Sequence, residues 1–229
     1  MWLVVGNISY ASIYCLSFAL ITDTGWLGVV FMFSAMLWSG VFAVGLSKPI
    51  QEFMFRQNKS KNTNWTIVKT FTQIAFVWTL ILVFLPYIVV QLEGKIGVSQ
   101  FTFPFQKFIS IIFFISLSLL GISSAYVMSK IGEGTPLPFD SAPNLVIKGA
   151  YSYVRNPMAI SGIGQCLAVA LFLGSPLVCL YAFTGALIWQ IIFRELEETD
   201  LSERFGKQYE DYCNNVRCWI PNLKPYKNN

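Results

Sequence analysis

Residues 158–193 read MAISGIGQCLAVALFLGSPLVCLYAFTGALIWQIIF. Two apolar runs, Met158 to Leu173 and Leu177 to Phe193, are separated only by Gly174-Ser175-Pro176. So short a joint makes them a tight antiparallel helical hairpin. Helices of this apolarity and length suit hydrocarbon, where a chain must satisfy its own backbone hydrogen bonds. Ser161, Gly162, Gly164, Ala168 and Ala170 line the first helix, and such small residues allow a neighbouring helix to approach closely.

The rest of the chain repeats this pattern. Of 229 residues, 55% are hydrophobic and 12% charged, and the mean hydropathy is +0.56. A soluble domain carries roughly twice that share of charge. The apolar residues fall in long blocks without the alternation of a membrane barrel. The expected fold is therefore an all-α polytopic membrane protein of about six transmembrane helices. Further spans are read at Trp2 to Ile21, Trp26 to Leu46, about Phe71 to Val90 (kinked at Pro86) and about Phe108 to Met128. The first lacks the basic flank and small-residue cleavage site of a signal peptide and reads as a retained span. Thr22-Asp23-Thr24-Gly25 is a tight turn, and Ile50 to Phe55 suits a short amphipathic piece in the interface.

The charges fix an orientation. With the basic loop 48–69 inside and six spans alternating, about fourteen of the 16 Lys and Arg lie on the cytoplasmic side. Lys95 and Lys107, in the loop Gln91 to Lys107 with Glu93, lie outside, as the positive-inside rule favours. Both termini are then cytoplasmic. So are the longest polar connection, Ser129 to Asn156, and the acidic cluster Glu195, Glu197, Glu198, Asp200 and Glu203. These two polar stretches stand at the two ends of one hairpin and are expected to be neighbours. Leu137, Phe139, Leu145, Val146, Ile147, Tyr151 and Tyr153 make the long connection too apolar for a disordered loop. The C-terminal segment 194–216 reads as an amphipathic helix with a possible break at Gly206. The chain divides into N-terminal spans, 1–107, and a core, 108–229, with the loop 129–157 between its helices.

Several chemistries lose their usual residues. There is no histidine, so the commonest general base and metal ligand are missing. The five cysteines have no ligand spacing: Cys15, Cys166 and Cys179 read as buried hydrophobes and Cys213 and Cys218 as tail thiols. No metal site is expected, and nothing in the net charge of +4 suggests nucleic acid. The remaining candidates sit in the polar clusters. Glu197 and Glu198 point about 100° apart on a helix, so one can turn inward while the other faces water; a solvated helix face paired with Arg194 and Arg204 is the plainer alternative. Arg155 is either a lipid-phosphate anchor or a planar fork for a carboxylate. Pro157 fits a first helical turn and makes Asn156 a natural N-cap. Tyr151 and Tyr153 are interfacial aromatics or the wall of a flat ligand's pocket.

Three stretches carry a family resemblance. They are Gly134-Thr135-Pro136-Leu137-Pro138-Phe139-Asp140, the run from Leu145 to Met158 through Arg155-Asn156-Pro157, and Glu197 to Tyr212, closing on Trp219-Ile220-Pro221. Together they resemble the isoprenylcysteine carboxyl methyltransferase family, in its bacterial branch, which is related to phospholipid N-methyltransferases. The resemblance covers roughly residues 130–221. It implies an enzyme of the bacterial inner membrane that transfers a methyl group from S-adenosylmethionine to a lipid-like or prenylated acceptor, with carboxylate O-methylation favoured. It implies a cofactor pocket of Asn144, Leu145, Val146, Tyr151, Asn156, Pro157, Met158, Ala159 and Glu197, and reaction chemistry at Arg155, Glu197 and Glu198. A Glu would meet the cofactor's amino group, and Arg155 would orient a carboxylate. The acceptor would arrive from the bilayer and the cofactor from the cytosol. Asn156 replaces the His of eukaryotic members, and Ala159 a usual Tyr. A phospholipid amine N-methyltransferase, a reductase of the related sterol-reductase type and a non-enzymatic membrane scaffold are the alternatives.

Overall fold

The computed structural model describes residues 1–47, 63–135 and 141–227. The expected interfacial piece at Ile50 to Phe55 and the motif residues 136–140 lie outside them. The described chain is all helix and connecting segments. In order come α1 (Trp2–Thr22), α2 (Trp26–Gly45), α3 (Thr63–Ile96), α4 (Gln106–Gly132), α5 (Pro157–Leu173), α6 (Pro176–Phe205) and the short α7 (Lys207–Asn215). Five of them, α1 to α4 and α6, are long and apolar enough to cross a membrane. With the 17-residue apolar α5, at the short end of what spans a bilayer, they form an all-α polytopic membrane protein.

The centre of the bundle is the α4–α5 contact, and small residues create it. A Cβ on Gly121 would lie 2.3 Å from the Ser161 hydroxyl, and one on Gly164 would lie 2.6 Å from Leu117. Ser161 donates to the Leu117 carbonyl at 2.7 Å and Gln165 to the Ser118 hydroxyl at 2.8 Å. These polar bonds bridge helices that dispersion alone would hold weakly in lipid. Gly162, expected in the same stripe, has nothing within 4 Å of its Cβ position and takes no part. The hairpin turns as expected, with Gly174 at φ +66. At the periphery α1 packs chiefly on α2, where the Ser12 hydroxyl reaches the Met32 carbonyl at 3.0 Å.

Three helices depart from regular α geometry. Pro86 was expected to kink its span. There α3 widens into a π turn over Leu80–Phe84 just before the proline, which relieves the clash between a proline ring and the preceding turn. π turns also occur at Met128–Gly132 and Trp189–Phe193.

The largest correction to the sequence reading concerns α3. It runs from Thr63 to Ile96, well beyond Phe71 to Val90, because hydropathy marks the hydrocarbon thickness and not the end of the helix. Glu93, assigned to an outer loop, is therefore helical and 1% exposed. Its Oε1 accepts from the Ser175 hydroxyl and the Leu177 amide, each at 2.7 Å. Ser175 in turn caps α6 by accepting from the Val178 amide at 3.0 Å. Glu93 is thus a buried anchor at the N-terminus of α6, where a carboxylate is favoured. Glu93→Ala leaves the Leu177 amide unpaired and is expected to cost about 2–3 kcal/mol, read as a lowered thermal midpoint in detergent. Glu93→Gln keeps an acceptor and should recover much of the loss.

Candidate functional site

At the end of the bundle opposite the Gly174 turn, the connection between α4 and α5 folds back under Gly132. The Asn144 amide donates to the Gly132 carbonyl at 3.3 Å. A Cβ on Gly132 would lie 2.7 Å from Val146, and one on Gly134 would lie 2.3 Å from the Ala142 backbone. Only glycine permits this return. A 3-10 turn, Gly149–Ser152, then leads the chain to Pro157 at the first position of α5.

The far end of the hairpin arrives at the same place. The apolar part of α6 ends at Phe193, and from Arg194 the helix is charged. Arg204 donates from Nε to Asp200 at 2.9 Å and from Nη1 to the Ala142 carbonyl at 2.7 Å, fastening the helix to the loop. The helix breaks at Gly206, as the sequence suggested. Beyond the break, Tyr209, Tyr212 and Val216 form a buried cluster with Leu145, Ile147, Leu201 and Phe205. The Tyr212 hydroxyl donates to the Tyr151 carbonyl at 2.6 Å.

Arg155 is the polar centre of this assembly. Its Nη1 lies 3.1 Å from Glu198 Oε1 and donates to Cys213 Sγ at 2.8 Å. The approach to Glu198 is an ion pair in distance but falls outside hydrogen-bond geometry, and both Arg155 Nε and Glu198 Oε1 are buried without a hydrogen-bond partner. Burial opposes the charge on Arg155, yet Glu198 and its neighbours outweigh it and hold the guanidinium above its ordinary pKa. The fork expected for a ligand carboxylate is thus already engaged by one of the chain's own.

Glu197 is half-buried on the same turn. Burial, with Glu198 and Asp200 nearby, pushes its carboxyl up to about 7, and Arg204 offsets part of this. Neither member of the Glu pair faces water freely, contrary to the expected division. Tyr151 is 5% exposed, with its hydroxyl buried and unpartnered. Burial, and then the negative charge of Glu197, keep that hydroxyl protonated far above neutral pH. A buried phenol donor and a half-buried carboxylate are therefore held near each other with hydrogen-bonding capacity to spare.

The remaining expected residues fall around this centre. Leu145 packs on the α7 cluster, and Val146 and Pro157 are buried. Met158 and Ala159 are half-buried on the first turn of α5. Asn144 is exposed and is held mainly through its backbone, with a long 3.4 Å contact from its side chain to the Ile131 carbonyl. Asn156 occupies the N-cap position but makes no cap bond. Its amide donates instead to Cys218 Sγ at 3.3 Å. Tyr153 is exposed, as an interfacial aromatic would be.

The sequence reading missed the tail. The Arg155 amide donates to the Arg217 carbonyl at 3.0 Å, and the Asn222 and Tyr226 amides donate at 2.8 Å to the Tyr153 and Ser152 carbonyls. Trp219 donates to Gln190 at 2.7 Å and meets Trp189 edge-on, at 4.9 Å between centroids. Cys213 and Cys218, dismissed as tail thiols, supply the acceptors for Arg155 and Asn156. Their only sequence signal is position, Cys213 near the end of α7 and Cys218 at the start of the tail that bonds with 152–155.

Two cavities are found near and beyond this cluster, the first beside the tail and the second at the opposite end of the bundle. One of about 550 Å³ is bordered by Asp211, Asn215 and the tail around Lys224 to Lys227. One of about 440 Å³ opens between α3, α4 and α5 toward the Gly174 end. Tyr212→Phe removes the bond that holds the Tyr151 carbonyl, at a cost of about 1–3 kcal/mol. Amide exchange over 149–156 should rise while exchange along α4 stays unchanged; unaltered exchange at 149–156 would show that this bond does not hold the loop.

Residues 105–208 match the family model described as phospholipid methyltransferase. The matched region contains α4, the folded connection, α5 and α6, and so includes Arg155, Glu197 and Glu198. No curated protein matches the chain.

Proposed function

We propose that the chain is an integral membrane methyltransferase that uses S-adenosylmethionine and acts on a lipid-like acceptor, with its reaction centre at the foot of the α5–α6 hairpin on the cytoplasmic side. One observation carries this reading. Within the region that matches phospholipid methyltransferases, the hairpin brings Arg155, Glu198, Tyr151 and Glu197 to a single place at the bilayer edge. The core 108–229 supplies every one of these residues.

The residues fit the cofactor. Its methionine end carries an ammonium and a carboxylate. Glu197 suits the ammonium, because its carboxyl is raised by burial and then by Glu198 and Asp200, a repulsion that a cation would relieve. The unpaired Nε of Arg155 and the Tyr151 hydroxyl are the buried donors available to a carboxylate. Leu145, Val146 and Met158 would give the apolar wall, with Asn144, Asn156, Pro157 and Ala159 at its edges. When bound, the cofactor supplies an activated methyl on a sulfonium.

The chain's own part is to position the reactants and keep water out. Glu198 holds Arg155 in place, and Cys213 takes one of its remaining donors. A carboxylate acceptor, including one on a prenylated molecule, needs no general base, so a chain without histidine is sufficient. Carboxylate O-methylation is the reading we favour. An amine acceptor on a phospholipid headgroup is the second reading, and Glu197 supports it. A carboxyl group near neutrality can take the proton that an ammonium must lose before it becomes a nucleophile. Methyl-label transfer to total membrane lipid, compared with transfer to small prenyl thiols bearing a carboxylate, separates the two.

Binding of S-adenosylhomocysteine to the detergent-purified protein tests the shared premise. Arg155→Ala and Glu197→Ala should each weaken it at least tenfold, since each removes a charge-assisted bond worth about 1.5–3 kcal/mol. If the wild type does not bind and both variants are silent in cells, the enzyme reading fails. The carboxyl of Glu197 near 7 also sets a pH dependence. Glu197 is charged above that value and neutral below it, so affinity should fall as pH drops from about 8 to about 6. Glu197→Gln should flatten that slope.

A further inference from the structure

We propose that the groove between α3, α4 and α5 holds one acyl chain of an anionic phospholipid, with the lipid phosphate seated on Lys107. The groove encloses about 440 Å³ and faces outward from membrane-spanning helices. Its floor and walls include Leu82 and Val83 of the π turn, Pro86 just after it, Phe114 of α4, and Val169 and Phe172 of α5. Val83 and Phe172 remain 59% and 42% exposed, so the groove is open to the surrounding bilayer. Ser110 in its wall already donates to the Lys107 carbonyl at 2.8 Å. A wall with little unmet polar demand favours a hydrocarbon chain over water.

The rim specifies the headgroup. Lys107 Nζ lies 5.8 Å from the centroid of the Phe172 ring, which places an ammonium at the mouth of the groove. Lys107 is exposed and has no ion pair among the described residues. It also stands on the first turn of α4, where the helix end is already positive and a lysine is disfavoured unless an anion is present. An acyl groove opening beneath an uncompensated cation at a helix start fits a phospholipid with net negative charge. This place is distinct from the Arg155 cluster. Phe172 lies fifteen residues along α5 from Pro157, roughly 22 Å away, so the lipid belongs to the opposite leaflet.

The test uses the full chain in detergent with equal amounts of phosphatidylglycerol and phosphatidylcholine of the same acyl composition, with bound lipid counted by native mass spectrometry. The wild type should retain the anionic lipid about fivefold over the zwitterionic one, the effect of a single interfacial lysine. Lys107→Gln, an exposed change that spares the fold, should remove the preference without lowering phosphatidylcholine. Val169→Trp, which fills the groove, should lower both. A wild type without preference, or a Lys107→Gln variant that keeps it, overturns the proposal. If Val169→Trp does not fold, phosphatidylglycerol with a photoreactive acyl chain decides the groove on the wild type. Labelling within 82–90, 110–114 or 168–173 supports it, and labelling confined elsewhere overturns it.

Discussion

Arg155 stands where three separate parts of the chain meet: the foot of α5, the charged end of α6 and the α7 tail. Its side chain is 15% exposed, and that of its partner Glu198 is 27% exposed. At that degree of burial a charge left without its partner is costly. The pairing thus ties the two far ends of the hairpin together at one end of the bundle, while the close α4–α5 contact fastens α5 to α4 within it. Every other feature of the site refers back to this arrangement. Glu197 is raised by its burial and then by Glu198 held next to it, and Cys213 is an acceptor because the guanidinium has a donor to spare. Where the chain leaves its 3-10 turn, the backbone of 152–155 bonds with the tail.

Much of this architecture was legible from residue type and spacing. The spans follow from length and apolarity. The hairpin follows from the three residues between its helices, and the break at Gly206 from a glycine in a charged helix. The meeting of the two polar clusters follows from counting spans and basic residues. What escaped was information that no local pattern carries. Glu93 looks like a loop acid because hydropathy stops before it, yet it is buried by an α6 helix that begins 80 residues later and needs an acceptor at its start. The tail after α7 has no periodicity, so its backbone hydrogen bonds to 152–155 could be found only in three dimensions. Cys213 and Cys218 lack any spacing that marks function, because they act singly, as acceptors to neighbouring residues.

The π turns illustrate a different limit. Proline at 86 signals a disturbance of α3, but the sequence alone does not say whether the helix will bend, break or widen. Widening keeps the helix continuous through the hydrocarbon, where unsatisfied backbone groups are expensive. It also gives α3 an irregular flank, and the bundle's bilayer-facing groove opens against that flank. A residue read as a local defect therefore shapes the outer surface of the protein.

The tail has a consequence for the order of events during synthesis. Residues 213–226 leave the ribosome after all six membrane helices, so the hairpin enters the bilayer before the groups that fasten its foot exist. Until then Arg155 has Glu198 but not Cys213, and the 152–155 backbone lacks its hydrogen bonds to the tail. Insertion and closure are thus separate stages. The oily hairpin can take its place while the polar end is still open to water, and the last stretch to emerge completes the enclosure.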